Sequence, residues 1–240
     1  MRVKMLFVPL VASVALLAGC TEGGPSVTPT PTTNGLDGKT AEEILEAASD
    51  AMSGADSFKV SGSGGEAPLT FDLDLTFAGE DIEGTVTLLG VEVNVKKVGA
   101  TLFVNADPAF WASTLGDFLQ DATDEELNAL ATQLGSGWAS APAALAAGVI
   151  PVPLSVDDLF GADAVPTPLT KGEVTELDGQ PVITFTDADG SIFSIALEGE
   201  PYVLQIETDG EPVTFSDFNE DVTIEEPDNV VDLLEVLGMG

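Results

Sequence analysis

The sequence predicts an α+β protein built on one antiparallel sheet. Three observations carry this. In LTFDLDLTF, residues 69–77, Leu69, Phe71, Leu73, Leu75 and Phe77 alternate with Thr70, Asp72, Asp74 and Thr76. That is the period of a strand with one buried face. Asp-Gly recurs between apolar runs, at Asp178-Gly179, Asp189-Gly190 and Asp209-Gly210. Both residues tolerate φ > 0, so the pair is a strong short-range hairpin signal. The links between successive apolar runs are also too short for the crossover that a parallel pair needs.

Taken in order, the chain opens on an export signal. Arg2 and Lys4 precede a nearly unbroken apolar run from Met5 to Leu17, followed by the small residues Ala18 and Gly19. This is the charged, apolar, small-residue layout of a signal peptide. The run is too short to span a hydrocarbon core of ~30 Å, which needs roughly 20 residues. Leu17-Ala18-Gly19-Cys20 then resembles a bacterial lipobox, and Cys20 is the single cysteine of the 240 residues. Signals of this kind are lipidated on the cysteine sulfur and cut just before it. Cys20 is therefore the expected lipidation site, with diacylglyceryl and palmitate-type acyl chains holding the protein on the membrane. Two chains anchor stably where one does not.

Three regions follow from this: a signal peptide at 1–19, a lipidated Cys20 with a disordered Thr/Pro/Gly tether at 20–38, and one folded domain at 39–240. The tether is rich in Thr, Pro and Gly and nearly free of large apolar residues. The domain begins with a helix. Thr40 with Glu43 three residues on makes a capping box. Ile44, Leu45, Ala48, Ala51 and Met52 recur at helical spacing, and Gly54 is the stop. After 69–77, strands are expected at 82–89, 91–98 and 100–106, with Gly79, Gly90 and Gly99 at the turns.

The middle, residues 107–169, reads as a helical insert. It holds Trp111, a helix near 124–134 capped by Thr123 with Glu126, an Ala-rich run after Trp138, and a short helix in SVDDLFG, residues 155–161. Five further strands close the chain, at 171–177, 181–186, 191–197, 202–208 and 213–218. Every strand has one apolar face, and few helices are present to cover them. Either the sheet closes on itself around a filled core, or the space between sheet and helices holds something apolar. The pattern alone favours the closed core.

Charge removes several function classes. Beyond residue 19 the chain has five lysines, no arginine and 41 carboxylates, a net charge near −36. Nucleic acid needs a basic face, which this composition does not supply. A solvated acidic surface is the plain account of the charge. Histidine is absent, which removes Ser-His-Asp and Cys-His catalysis and the usual zinc sites. A phosphate-cradling GxxxxGK loop is absent as well. An EF-hand reading from Asp187 fails because its sixth position, which must be Gly, is Ile192. No metal, cofactor or catalytic residue is expected, and the protein is not read as an enzyme.

Longer segments carry a resemblance. KTAEEILEAASDAMSGADSFKVSGS, KKVGATLFVNADPAFW and GQPVITFTDADGSIFSIALEGEPYVLQIE, followed by FSDFN and EPDNVVDL, together with the lipobox, resemble the actinobacterial LppX/LprG/LprA/LprF lipoprotein family. The likeness covers roughly residues 39–234. It implies a curved antiparallel β half-barrel with a few helices over its concave face, related to the LolA/LolB carriers, and so reverses the preference for a closed core. It implies an extracytoplasmic, lipid-anchored protein that binds acylated lipid or glycolipid in an apolar cavity and carries it across the envelope. An envelope transporter is the protein partner such a carrier would meet. Phe71, Leu73, Leu75 and Phe77 are then the candidate cavity residues. A ligand-free tethered adaptor that contacts other envelope proteins is the alternative.

Overall fold

The computed structural model describes residues 33–64, 70–88, 90–146, 153–160 and 168–239. The signal peptide, Cys20, residues 20–32 of the tether, and Leu69 lie outside them.

Helix α1 (Ala41–Gly54) starts where the capping box places it. The Thr40 N–H donates to Glu43 Oε2 at 2.9 Å and the Glu43 N–H donates back to Thr40 Oγ1 at 3.3 Å. The Thr40 N–H and hydroxyl, which both donate to the carboxylate, with Lys39 nearby, hold the Glu43 carboxyl below its ordinary range. Ile44, Ala48 and Met52 form the buried stripe. Five strands then run as a meander: β1 (Ser57–Gly64), β2 (Phe71–Ala78), β3 (Asp81–Leu88), β4 (Val91–Val98) and β5 (Thr101–Asn105). The insert contributes α2 (Pro108–Phe118), α3 (Asp124–Leu134), β6 (Trp138–Pro142), α4 (Ala143–Ala146) and α5 (Val156–Phe160). A second meander follows, β7 (Thr170–Leu177), β8 (Gln180–Thr186), β9 (Ile192–Ala196), β10 (Val203–Thr208) and β11 (Glu211–Ser216), and then β12 (Val230–Asp232) and α6 (Leu233–Val236).

All twelve strands form one sheet in the order β12-β6-β5-β4-β3-β2-β1-β11-β10-β9-β8-β7. Pairing is antiparallel except between β12 and β6. The two meanders join where β11 pairs with β1, Val60 opposite Phe215 and Gly62 opposite Val213. The fold is α+β, an open half-barrel with few helices. The closed sheet that the pattern favoured does not form, because β12 and β7 end it. The β7 edge shows why. It exposes Glu173, Thr175 and Glu176 and carries a bulge between Lys171 and Val174. Charge and irregular register are the usual guards of an unpaired edge.

Four details differ from the sequence reading. Ser57–Gly64 is a full strand although its Ser and Gly content hides it. Trp138–Pro142 is a strand rather than helix, because β5 has an open edge that it fills from Thr101↔Pro142 to Val104↔Ala139. Pro108–Phe118 is a helix, with Asp107 as N-cap accepting from the Phe110 N–H at 2.8 Å. Two of the three Asp-Gly turns are tight two-residue turns with both residues at positive φ, Asp178 and Gly179, and Asp209 and Gly210. At Asp189-Gly190 only the glycine is at positive φ. There the Asp187 carboxylate accepts the Asp189 and Ser191 N–H groups at 2.9 and 2.8 Å. Desolvation pushes the Asp187 carboxyl up, but these donors outweigh it and the net shift is downward.

Register places one continuous apolar face under the helices. Phe77 lies opposite Phe58 and Ile82, Leu75 opposite Val60 and Gly84, and Leu73 opposite Gly62 and Val86. Trp111 and Leu115 of α2, Ala131 and Leu134 of α3, and Phe160 of α5 join these residues in one core. An aromatic group pins its middle. Phe58 stacks on Phe77 at 4.8 Å, and Phe160 meets Phe215 at 5.2 Å.

Candidate apolar groove on the sheet

The four residues singled out on β2 lie in a gradient. Leu75 and Phe77 are completely buried. Leu73 is half-buried against the core, and Phe71, also half-buried, lies beyond the core cluster. The gradient belongs to the sheet rather than to one strand. Phe71 is opposite Leu88, which is opposite Val91, and both are half-buried. In the next row, Leu73 faces Gly62, then Val213, Ile206 and Phe193 follow across three strands. Those last three side chains are half-buried too. A strip of apolar side chains therefore runs across the inner face at one end of the sheet and is only partly covered.

Glycine shapes the floor of this strip. Gly62 leaves the row without a side chain between Leu73 and Val213, and the Phe71 ring lies over Gly64. The half-buried strip thus passes from Leu73 across β1 to Val213 with no side chain from Gly62 between them. It has the features of a site for acyl chains: apolar, elongated, and without charged side chains among its named residues. Nothing in it is arranged for bond making. Among the described residues no three His, Cys, Asp or Glu side chains gather as a metal site.

A cavity of about 300 Å³ lies at the opposite end of the sheet, lined by Ser53, Glu80, Lys97, Ser155 and Asp157 among others. Ala55, Gly79 and Val156 complete its lining, so charged and apolar groups are mixed there. Lys97 there donates to the Glu80 carbonyl oxygen. The remaining lysines of the described residues are also engaged. Lys39, Lys59 and Lys96 pair with Glu43, Asp74 and Glu83 at 3.4, 3.0 and 2.9 Å. Lys171 Nζ donates to the Asp37 and Lys39 carbonyls at 3.1 and 2.6 Å. Among the described residues no basic face is left to hold a polyanion.

The helical cover comes in two parts. Helix-to-helix packing is extensive between α2 and α3 and present between α1 and α5. The Asn34 N–H donates to the Leu197 carbonyl at 2.7 Å, and Asn34 Nδ2 donates to the Ala196 and Gly199 carbonyls at 3.2 Å each. The chain thus enters the body at the β9–β10 turn, inside the stretch read as tether. That turn and the groove lie at opposite ends of the sheet, since Ala196 is at one end of β9 and Ile192, opposite Glu207, is at the other. None of the described helices is long and apolar enough to cross a membrane.

Sequence reasoning singled out Phe71, Leu73, Leu75 and Phe77 on β2, of which only Phe71 and Leu73 are half-buried, and did not single out Val213, Ile206 and Phe193. Ile206 lies between Gln205 and Glu207, whereas Phe193 follows Ile192 and Val213 follows Pro212, so no shared local pattern marks the three. Only the β1–β11 junction, a long-range pairing, brings them beside Leu73.

No family model and no curated protein matches this chain. Solved structures similar to it include LprF from Mycobacterium bovis, at 16% identity and a TM-score of 0.47, covering 78% of this chain and 96% of that one. An uncharacterized conserved protein from Thermus thermophilus is similar at 9% identity and a TM-score of 0.39, covering 80% and 98%. LprF is named in the family that the sequence segments resemble.

Proposed function

We propose that this is an exported lipoprotein, anchored through lipidated Cys20 on the extracytoplasmic face of the membrane, that holds acylated lipid or glycolipid in the groove and carries it across the envelope. The observation that carries the reading is the half-covered apolar strip from Phe71 and Leu73 to Phe193 on an unclosed sheet. Water-exposed apolar surface of this extent is costly unless something covers it. Each CH₂ of a bound chain adds about 0.8 kcal/mol, so chains bind there with little polar recognition. The role is that of a carrier, not an enzyme, and delivery would be to an envelope transporter.

Residues 21–32 remain between Cys20 and the body. A flexible segment of that length has an r.m.s. reach of roughly 17–21 Å. The body stays near the bilayer, with the groove end turned away from the entry point of the chain.

The test is native mass spectrometry of protein purified from its own membrane. Adduct masses of acylated lipid on the folded body support the carrier. A body free of lipid in every preparation favours the tethered adaptor instead. The anchor is checked separately. Cys20→Ala should lose lipid attachment and leave the detergent phase in Triton X-114 partitioning, with the fold unchanged by circular dichroism. A cleaved Cys20→Ala protein that partitions as wild type does would refute the lipobox assignment.

A further inference from the structure

One row of the inner face breaks its pattern. Val91, Val93, Val95 and Lys97 share one face of β4, and the first three keep the apolar alternation. The register sets Lys97 between Ile82 and Leu102, both buried, and Phe77 and Phe58 continue the row. Another valine would complete it. A lysine there has to carry its ammonium along its apolar stem to a polar place. That place is the cavity at the end of the sheet away from the groove, where Ser53, Glu80, Ser155 and Asp157 join Lys97.

The charges around this cavity do not satisfy one another. Lys97 donates to the Glu80 backbone carbonyl rather than to a carboxylate. Among the described residues it forms no ion pair with Glu80 or Asp157, although both line the same space. An ammonium has three N–H donors, so one such bond leaves capacity for a guest. One cation and two carboxylates held apart around about 300 Å³ suit a guest that carries both signs. A simple anion meets the carboxylates, and a simple cation meets the ammonium. The volume is at the lower bound for ligand cavities, ~300–1,000 Å³, so the guest is small. No aromatic side chain lines the space. Quaternary ammonium groups are held by aromatic cages, so the positive end of this guest is a primary ammonium.

The place of the cavity names the source. Asn34 brings the chain into the body at this same end of the sheet. We propose that the cavity takes the phosphoethanolamine headgroup of a bilayer lipid, with the phosphate on Lys97 and the ammonium towards Glu80 and Asp157, and so docks this end of the body on the membrane. This rests on the anchor reading and deepens it. With Cys20 in the bilayer, headgroups are present at high local concentration, and a weak site suffices. Charge favours the same lipid class. A strongly acidic body is repelled by anionic headgroups but not by a zwitterionic one.

The test titrates the mature lipoprotein, held in dodecyl maltoside, with glycerophosphoethanolamine, glycerophosphocholine and glycerol phosphate. Wild type should bind the first about tenfold or more tightly than the others, the worth of one hydrogen bond to a charged group. Lys97→Met restores an apolar side chain to the row, and Glu80→Gln changes an exposed turn. Each should lose the preference and melt within a few degrees of wild type. A second arm compares the protein anchored in vesicles of phosphatidylcholine alone and of phosphatidylcholine with an equal share of phosphatidylethanolamine. Amide hydrogen exchange at Gly79, Glu80, Ser155, Val156 and Asp157 should slow only in the mixed vesicles, and Lys97→Met should abolish the difference. Equal affinity for the three headgroups, or a preference that survives in both variants, overturns the site. A headgroup preference without any difference between the vesicles shows that the cavity serves a free zwitterion, and overturns the membrane docking. Protein that floats with neither vesicle refutes the anchor reading and with it the docking, while the titration still decides whether the cavity binds the headgroup.

Discussion

Gly84→Ala is expected to lower the melting temperature by roughly 6–20 °C, the largest stability loss for one added methyl group in this sheet. Gly84 lies in the middle of β3 with φ of +152°, opposite Leu75 on one side and Val95 on the other. A Cβ there would run into the Asp74 carbonyl oxygen and come within 2.9 Å of Leu75 Cα. Both obstacles are backbone of the neighbouring strand, so no side chain can swing away. The β2–β3 ladder itself would have to shift. Overpacking of this kind costs about 1–3 kcal/mol, and the unfavourable backbone region adds about 1–3 kcal/mol. The two together, about 2–6 kcal/mol and about 3–5 kcal/mol in the middle of that range, are a large share of the roughly 5–15 kcal/mol typical of a folded domain. At roughly 2–4 °C per kcal/mol this gives the expected shift. Gly79→Ala is the control. Gly79 has φ of +58° in a turn and open space around its Cβ position, so only the conformational cost of about 1–2 kcal/mol applies. Equal losses for the two variants would show that φ alone matters and that strand proximity at Gly84 does not.

Glycines inside strands also explain what the sequence reveals and what it hides. The turn glycines Gly79, Gly90 and Gly99 are legible because they separate periodic runs, and all three are at positive φ in the structure. Gly62 and Gly84 interrupt runs instead. Gly84 leaves its strand readable, since Ile82, Val86 and Leu88 keep the alternation. In SFKVSGSG the glycines and serines dilute it, and β1 is hidden. Yet β1 is the strand on which the two meanders meet, so the groove cannot be assembled from sequence. The helix boundaries are legible for a local reason. Thr40 with Glu43 and Thr123 with Glu126 satisfy orphan N–H groups within four residues of chain, and both boxes form. Asp107 with Pro108 carries a similar local signal for α2, one that the sequence reading did not use. The strand at Trp138–Pro142 has no local signal. Its Ala-rich sequence suits a helix, and only the vacant edge of β5 makes it a strand.

Leu73→Trp should abolish lipid occupancy while lowering the melting temperature by no more than a few degrees. Leu73 stands at the boundary between the packed core and the half-covered strip. Towards the core its strand neighbour on the same face is Leu75, fully buried, and towards the opening it is Phe71. Across the ladder it faces Gly62, which offers no side chain to collide with. An indole at 73 can therefore lie over β1, in the space that acyl chains would use. Several CH₂ contacts worth about 0.8 kcal/mol each would be lost to the ligand. A tightly packed surrounding gives the opposite result. There the larger ring would strain its neighbours by about 1–3 kcal/mol and no lipid would be present to displace. Lipid occupancy by native mass spectrometry and melting temperature, measured on the same preparations, separate the two cases. Leu75→Trp completes the comparison. Leu75 is fully buried inside the core, so the same insertion should lower the melting temperature strongly, whatever it does to lipid. If Leu73→Trp destabilises as much as Leu75→Trp, the strip is ordinary core and the groove does not exist. If Leu73→Trp stays stable and still carries lipid, the ligand lies elsewhere on the molecule.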